Sequence, residues 1–303
     1  MQRFLRIVKW LLIMTVIIVL FFYMGSKVNI EFQKDFPFFH IEDYASQYIY
    51  VVDRETEEVI HEKNAQSKAY PASLTKIMTT ILTLEHIDDL SAPAPIDTKT
   101  QRDMFANNTS MAGFAAGESV TYRDLLYGTI LPSGAEAANS LAIHVAGSVE
   151  NFVEMMNAKA DELELDNTHF TNPEGLDHKE QYTTAADMAK LLDYALDNED
   201  FRTVFTKETY QTTSTTAHPD GIMLASTVLS ALDKGEQNDF EIIGGKSGTT
   251  EQAGENWATL GLVNNREYIS IVMGAPLDDI SHPNNEQIAD TLKLYKNIKS
   301  GEL

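Results

Sequence analysis

The chain has 303 residues, with 45 acidic and 23 basic side chains, a formal net charge of -22 and no cysteine. Disulfides, zinc–thiolate sites, iron–sulfur clusters and thiol nucleophiles are excluded at once. No nucleic-acid partner is expected, because phosphate binding needs clustered Lys and Arg. With 43% apolar and 22% charged residues, the bulk reads as globular and long enough to bury a substantial core.

The N-terminus departs from this acidic average. Arg3, Arg6 and Lys9 precede an uncharged run over residues 10–26, and Lys27 closes it. At about 1.5 Å per residue the run spans roughly 25 Å, the lower edge of what crosses a bilayer. Basic residues ahead of the run place the N-terminus in the cytoplasm and the rest outside. Phe22-Tyr23-Met24-Gly25-Ser26 matches a cleavage site poorly, so a retained N-terminal transmembrane helix is expected. The expected organisation is a cytoplasmic basic segment and membrane anchor over 1–27, a stalk over 28–45 and one folded domain over 46–303.

Residues 47–64 read as a hairpin: β-branched and aromatic 48–52, a polar turn at 53–57, then Val59-Ile60. Residues 73–87 read as a helix, with Ser73 a plausible cap after Pro71 and Ala72. Residues 90–120 are rich in Pro, Asn, Gly and Ser and read as irregular. Helical patterns follow at 121–131, 134–147, 149–164 and 184–198. Between the last two, 170–177 reads as a loop by its Asn-Pro and Gly content. Strands return at 242–249, 256–263 and 268–273, with a turn at 264–267. An amphipathic helix is expected at 284–299. Strands at both ends around a helical middle imply one sheet built from both termini, with a helical lobe inserted.

Three segments carry chemistry. In Ser73-Leu74-Thr75-Lys76, a serine and a lysine three residues apart on a helix share one face. Serine is a poor nucleophile until a neighbouring base takes its proton. A lysine serves as that base when burial or another cation destabilises its ammonium. Alone this spacing is weak: about one Ser-x-x-Lys arises by chance in a chain of this length. Ser133-Gly134-Ala135 follows Leu131-Pro132 and precedes a helix, a position equally suited to an ordinary cap. Lys246-Ser247-Gly248 opens a strand. Gly248 there admits close approach of a ligand to the backbone, and Lys246 is the second cation that keeps Lys76 neutral.

The order and spacing of these segments resemble the penicillin-interacting serine enzymes, whose motifs are Ser-x-x-Lys, Ser-x-Asn and Lys-Thr-Gly. The flanks are similar to the low-molecular-mass D-alanyl-D-alanine carboxypeptidases. They are Tyr70-Pro71-Ala72-Ser73-Leu74-Thr75-Lys76-Ile77-Met78-Thr79, Thr171-Asn172-Pro173-Glu174-Gly175-Leu176-Asp177 with Tyr182-Thr183-Thr184-Ala185-Ala186-Asp187-Met188-Ala189, and Gly245-Lys246-Ser247-Gly248-Thr249-Thr250 with Ala253-Gly254. The resemblance covers roughly residues 45–275. It implies an α/β fold of the β-lactamase/transpeptidase type, an antiparallel sheet flanked by helices with an inserted helical lobe. It implies a D,D-peptidase domain over 46–303 that removes the terminal D-alanine from peptidoglycan stem peptides and is acylated by β-lactams. Ser73 would be the acylated nucleophile, Lys76 its base and Ser133 a proton relay to the leaving D-alanine. Lys246 and Ser247 would hold the substrate carboxylate, with Gly248 beside them. The N–H groups of Ser73 and Thr249 would form the oxyanion hole. No metal or cofactor is implied. Many members carry a second β-rich domain and a C-terminal anchor. The chain beyond the last core strand is too short for that domain, and the N-terminal segment is expected to do the anchoring.

Two departures stand out. Ser247 replaces the usual threonine and keeps its hydroxyl. Ala135 replaces the second-motif asparagine, whose amide contacts the substrate backbone and the lysine. Its loss is expected to weaken positioning by about 1–3 kcal/mol. Asn139, one helical turn on, is a candidate substitute for that amide, although helix geometry sets it back from the cleft, and Glu136 reads as a solvated helix residue. Ala135 keeps open a catalytically impaired penicillin-binding or wall-sensing protein. A β-lactamase shares the first and third motifs and needs a deacylating base. Glu174 sits in a suitable loop, but that loop matches the carboxypeptidases. A zinc peptidase is disfavoured: His61, in Glu58-Val59-Ile60-His61, has no companion motif and reads as a surface histidine. His169, His178 and His218 show no ligand spacing.

Overall fold

Strands from both ends of the chain meet in one five-stranded antiparallel sheet, ordered β2-β1-β9-β8-β7. Its members are β1 (Tyr48–Asp53), β2 (Val59–Lys63), β7 (Glu241–Thr250), β8 (Gly254–Val263) and β9 (Arg266–Ala275). This computed structural model describes residues 44–232 and 239–303. The expected anchor and all but the end of the expected stalk lie outside the described residues. Among the described residues no helix is long and apolar enough to cross a membrane. Those from Ala45 onward form one compact unit.

The burial of each strand follows its place. β1 alternates between half-buried and buried side chains, the signature of a strand with one face on the core. β8 and β9 are buried almost throughout, because helices cover both their faces. Helix α6 (Ala185–Leu196) packs on β9 and β1, and helix α8 (Glu286–Ser300) packs on β8 and β9. Tyr295 of α8 is fully buried. Gly261 makes room for it: a Cβ there would stand 2.4 Å from the Tyr295 ring.

The helical lobe is built around α1 (Lys76–His86), which is buried on every side from Lys76 to Thr83. A helix buried all round belongs at a centre. Around it lie α3 (Tyr122–Ile130), α4 (Ala135–Ala146), α5 (Val149–Glu162) and α7 (Glu199–Phe205). The expected hairpin, the helices at 121–131, 134–147, 149–164 and 184–198, and the C-terminal strands and helix all occur, with ends shifted by a residue or two.

Residues 90–120 are a correction. They hold β3 (Pro93–Pro95), α2 (Thr98–Ala106) and β4 (Ser119–Thr121), with β3 and β4 paired. The helix starts on Asp97, whose side chain accepts the Thr100 N–H at 2.7 Å. Its polar sequence has no apolar stripe, so periodicity misses it. A further pair, β5 (Thr209–Gln211) with β6 (Met223–Ala225), completes the lobe.

Two polar clamps join distant parts. Ala45 N and Ser46 N donate to the Asp290 carboxylate of α8 at 3.3 and 2.7 Å. Arg54, in the β1–β2 turn, pairs with Asp193, Asp197 and Glu267 at 2.6, 2.9 and 2.8 Å. Its side chain is mostly buried, and against the cost of burial Asp193 and Glu267 hold its guanidinium above the usual range. Arg54→Met should destabilise the domain by about 2 kcal/mol, between an exposed pair and a buried one. Urea midpoints at low and high salt check this, and the gap should narrow with salt.

Candidate active site

Ser73 reaches the cleft on a single 3-10 turn, Ala72–Thr75, which runs directly into α1 at Lys76. Side chains three apart eclipse in such a turn. Lys76 Nζ accordingly donates to Ser73 Oγ at 3.0 Å. Ser73 is therefore not the helix cap that the sequence indicated; Pro71 and Thr75 precede the two helical segments, and neither makes a side-chain cap. Ala72 sits at φ 47°, a strained region for a residue with a Cβ. The strain is held from the sheet: Asn256 Nδ2 donates to Tyr70 O and Pro71 O at 3.0 and 3.2 Å, and its Oδ1 accepts Gly274 N–H at 2.8 Å.

Ser133 also has positive φ, 66°. It stands just ahead of α4 and accepts a hydrogen bond from Lys246 Nζ at 2.8 Å. Lys246 comes from β7 and also donates to Ser247 O at 2.7 Å. The structure thus brings two serine–lysine pairs together from four separate elements. Lys76 is 2% exposed and Lys246 fully buried.

Burial penalises both ammonium groups. It brings Lys76 down to about 8, with the carboxylates of Glu174 and Glu136 opposing the shift. Lys246 falls well below its ordinary value through burial, and then through the Lys76 ammonium beside it. The expectation that Lys246 is the cation that neutralises Lys76 changes accordingly. Water exclusion is the main cause at both lysines. An anion docking beside Lys246 would oppose the shift there, since an opposite charge favours the charged form.

The cleft holds about 950 Å³. Ser73, Lys76, Ala135 and Glu174 lie on its lobe side, and Ser247, Thr249 and Thr250 on its β7 side. β7 is an edge strand, so its outer backbone faces the cleft. Gly248 is required where β7 passes Ser73: a Cβ there would meet Ser73 N at 2.9 Å and Ala72 Cβ at 3.1 Å. Ser247 Oγ and Thr227 Oγ1 share a hydrogen bond at 2.7 Å.

Ala135 lies on the cleft wall with no polar side chain to offer. Its own N–H donates to Ser110 O at 2.8 Å. Asn139 does not replace the missing amide, because its Nδ2 donates to Ala135 O and Glu174 Oε2 at 3.0 and 2.9 Å. Glu136, expected in solvent, is fully buried. Its Oε1 accepts the N–H groups of Ala112, Gly113 and Phe114 at 2.8, 3.0 and 3.3 Å, fixing the strand of chain behind Ala135. His61 is half-buried on the edge strand β2. Among the described residues no group of three or more His, Cys, Asp or Glu is arranged to hold a metal.

Sequence reasoning did not find Asn256, Thr227 or the Asn139–Glu174 pair. Each acts on a partner far along the chain, and no local spacing signals such contacts.

The family model for D-alanyl-D-alanine carboxypeptidases, peptidase family S11, matches residues 36–277, and the chain belongs to this family. It is 31% identical over 244 residues to the D-alanyl-D-alanine carboxypeptidase DacC of Escherichia coli, covering 78% of this chain and 58% of that protein. It is 37% identical over 139 residues to DacF of Bacillus subtilis, covering 46% of this chain and 36% of that one. The chain therefore spans less than two thirds of the length of these curated relatives. Among solved structures, the Streptomyces K15 DD-transpeptidase superposes with a TM-score of 0.73 at 28% identity, over 84% of this chain and 97% of that one. Penicillin-binding protein 5 of Haemophilus influenzae gives 0.73 at 27%, over 84% and 71%. The fold is the transpeptidase-like α/β fold.

Proposed function

We propose that this protein is a serine D,D-carboxypeptidase that removes the terminal D-alanine from peptidoglycan stem peptides through an acyl-enzyme on Ser73. The observation that carries this reading is the 3.0 Å contact between Lys76 Nζ and Ser73 Oγ, formed by a buried lysine. With its proton leaving at about 8, roughly a tenth of Lys76 is neutral at pH 7 and ready to act as a base.

The steps follow from the placement of the groups. The peptide lies along the open edge of β7, as an added strand does. Its terminal carboxylate is held by Ser247 and by Lys246, whose charge the anion restores. Neutral Lys76 takes the Ser73 proton as Oγ attacks the carbonyl carbon of the penultimate D-alanine. The N–H groups of Ser73 and Thr249 receive the developing oxyanion, each contributing about 10² or more in rate. Ser133 passes its proton to the departing amine and is reprotonated from the Lys76 ammonium, which returns Lys76 to its neutral form. D-alanine leaves, and water then hydrolyses the ester on Ser73. A β-lactam carries a comparable carboxylate and carbonyl and acylates the same oxygen.

The N-terminal basic and apolar segment anchors the chain in the cell membrane as a single span, with the enzyme domain on the outer side where its substrate lies. Both features belong to this proposal. The test uses the full-length chain in detergent, wild type and Ser73→Ala, with diacetyl-Lys-D-Ala-D-Ala and a fluorescent penicillin. Free D-alanine and labelling are both expected, and both should vanish in Ser73→Ala. Labelling without D-alanine release would sink the carboxypeptidase reading and favour an impaired penicillin-binding protein, with Ala135 the cause.

A further inference from the structure

Glu174 closes the lobe side of the cleft, on the loop between α5 and α6. Its backbone oxygen accepts a hydrogen bond from Lys76 Nζ at 2.5 Å. Its side chain is 6% exposed, so the carboxylate has left water almost completely. Such a group needs a partner, because an isolated buried carboxylate is costly. The partner is Asn139, whose amide holds Oε2 at 2.9 Å while a second hydrogen bond, to Ala135 O at 3.0 Å, fixes the amide itself. The result is a carboxyl fixed in a low-dielectric wall on the loop whose backbone meets Lys76; burial raises its pKa, and the Lys76 ammonium and the Asn139 amide oppose that shift.

We propose that Glu174, held by Asn139, is a positioning residue for Lys76: its carboxylate stabilises the ammonium that forms when Lys76 takes the proton of Ser73. This inference rests on the carboxypeptidase reading. The proton balance is simple. The O–H bond of Ser73 breaks, an N–H bond forms on Lys76, and Oγ bonds the carbonyl carbon. Glu174 neither gains nor loses a proton in the step. It makes Lys76 a stronger base, at the cost of keeping it protonated to a higher pH.

The other charged groups around Lys76 do not fill this role. Glu136 on α4 also favours the ammonium, by less than Glu174 does. Its Oε1 accepts from three backbone N–H groups. Among the described residues its Oε2 is buried without a hydrogen bond, and its backbone makes no contact with Lys76 like that of Glu174 O. Lys246 on β7 acts in the opposite sense, since two neighbouring ammonium groups disfavour each other. The far side of the Glu174 loop opens on a smaller cavity of about 480 Å³. Besides Glu174, which lines both cavities, its titratable lining residues are His169, Asp177, His178 and Glu180, and of these four only Asp177 also lines the active-site cleft.

The signs are distinctive. An opposite charge at this range raises an ammonium's pKa, so removing it lowers that pKa. A weaker base then loses its proton earlier but accepts one less readily. The experiment measures the second-order rate of acylation by a fluorescent penicillin from pH 6 to pH 10, using the full-length chain. Glu174→Gln keeps the backbone contact and the shape. It should move the acid-limb midpoint down by about one pH unit and lower the high-pH plateau roughly tenfold. Asn139→Ala should shift the midpoint in the same direction by less, because the carboxylate loses a hydrogen bond that keeps it charged. Glu174→Asp should keep the wild-type midpoint even where its plateau falls. A lowered plateau with an unmoved midpoint in Glu174→Gln would mean structural support only, and would overturn the inference. So would a profile identical to wild type. Absence of Ser73-dependent acylation in the wild type at every pH would overturn this inference and the carboxypeptidase reading together, whereas an unmoved midpoint overturns this one alone.

Discussion

Lys76→Met should reduce acylation of Ser73 by about 10⁴-fold or more, the scale on which removing the base of a serine nucleophile acts. The same substitution should make the protein more stable at neutral pH. Lys76 is buried and its folded pKa is about 8, against an ordinary lysine value of 10.5. The folded pKa is depressed, so between these two values the unfolded chain binds more protons than the folded one. Stability from this group therefore rises with pH through that window, and its full cost is felt below pH 8. Methionine occupies a similar volume and carries no charge to desolvate. Partners are left behind, notably Glu174 O and the two carboxylates that face the ammonium, so the net gain at pH 7 should be about 1 kcal/mol. Chemical unfolding at pH 7 and pH 10, with acylation measured in parallel, checks both halves. A variant that loses activity and stability together would show that the pair is a structural prop.

Gly175→Ala should lower acylation about 10²-fold although it removes no group that performs chemistry, the cost of misplacing reacting atoms by around an ångström. Gly175 adopts φ +95°, and a Cβ on it would lie 1.9 Å from Ala72 O and 2.9 Å from Ser73 N. The loop has little freedom to withdraw. Asn172 Oδ1 accepts the N–H groups of Gly175 and Leu176 at 2.7 and 3.1 Å, and Thr79 Oγ1 donates to Pro173 O at 2.6 Å. The turn carrying Ser73 must move instead, and it is already strained at Ala72. Overlap and backbone strain together should lower stability by about 2–4 kcal/mol. Acylation rate and urea midpoint give the two readings, and a variant acylating at the wild-type rate would contradict the argument.

The parts of this fold that were legible in the sequence are those with a strong local period. Strand β1 and the outer helices of the lobe bury one face at a regular spacing, and β8 and β9 read as nearly continuous apolar runs. Helix α2 has no such face. It is held by the Asp97 cap and by the loop that follows, neither of which dominates a pattern read over a window. The site shows the same division. Ser73 with Lys76, Ser133 and Lys246 lie in short stretches whose order alone makes them readable together. Glu136 was misplaced because a charged residue on a helix is usually solvated. Here three N–H groups more than twenty residues earlier in the chain turn toward it. Asn139 looked like a displaced motif residue, yet its partner is a carboxylate on a loop distant in sequence. Side chains that support other side chains leave no spacing to read, because their partners are chosen by the tertiary fold.

The clamp of Ala45 and Ser46 onto Asp290 has a mechanical consequence. The chain enters the folded unit there and passes at once into β1, which has paired neighbours on both sides, β2 and β9. A pull applied at that end and directed along the strand loads two hydrogen-bond ladders at once, in shear. The bonds of both ladders share the force, instead of opening one after another as they do when an edge strand is peeled away. The clamp to α8 adds the last helix to the loaded body. A load at the N-terminal end of the domain is thus spread over two ladders, while β7 lies at the far edge of the sheet and is not paired to the loaded strand.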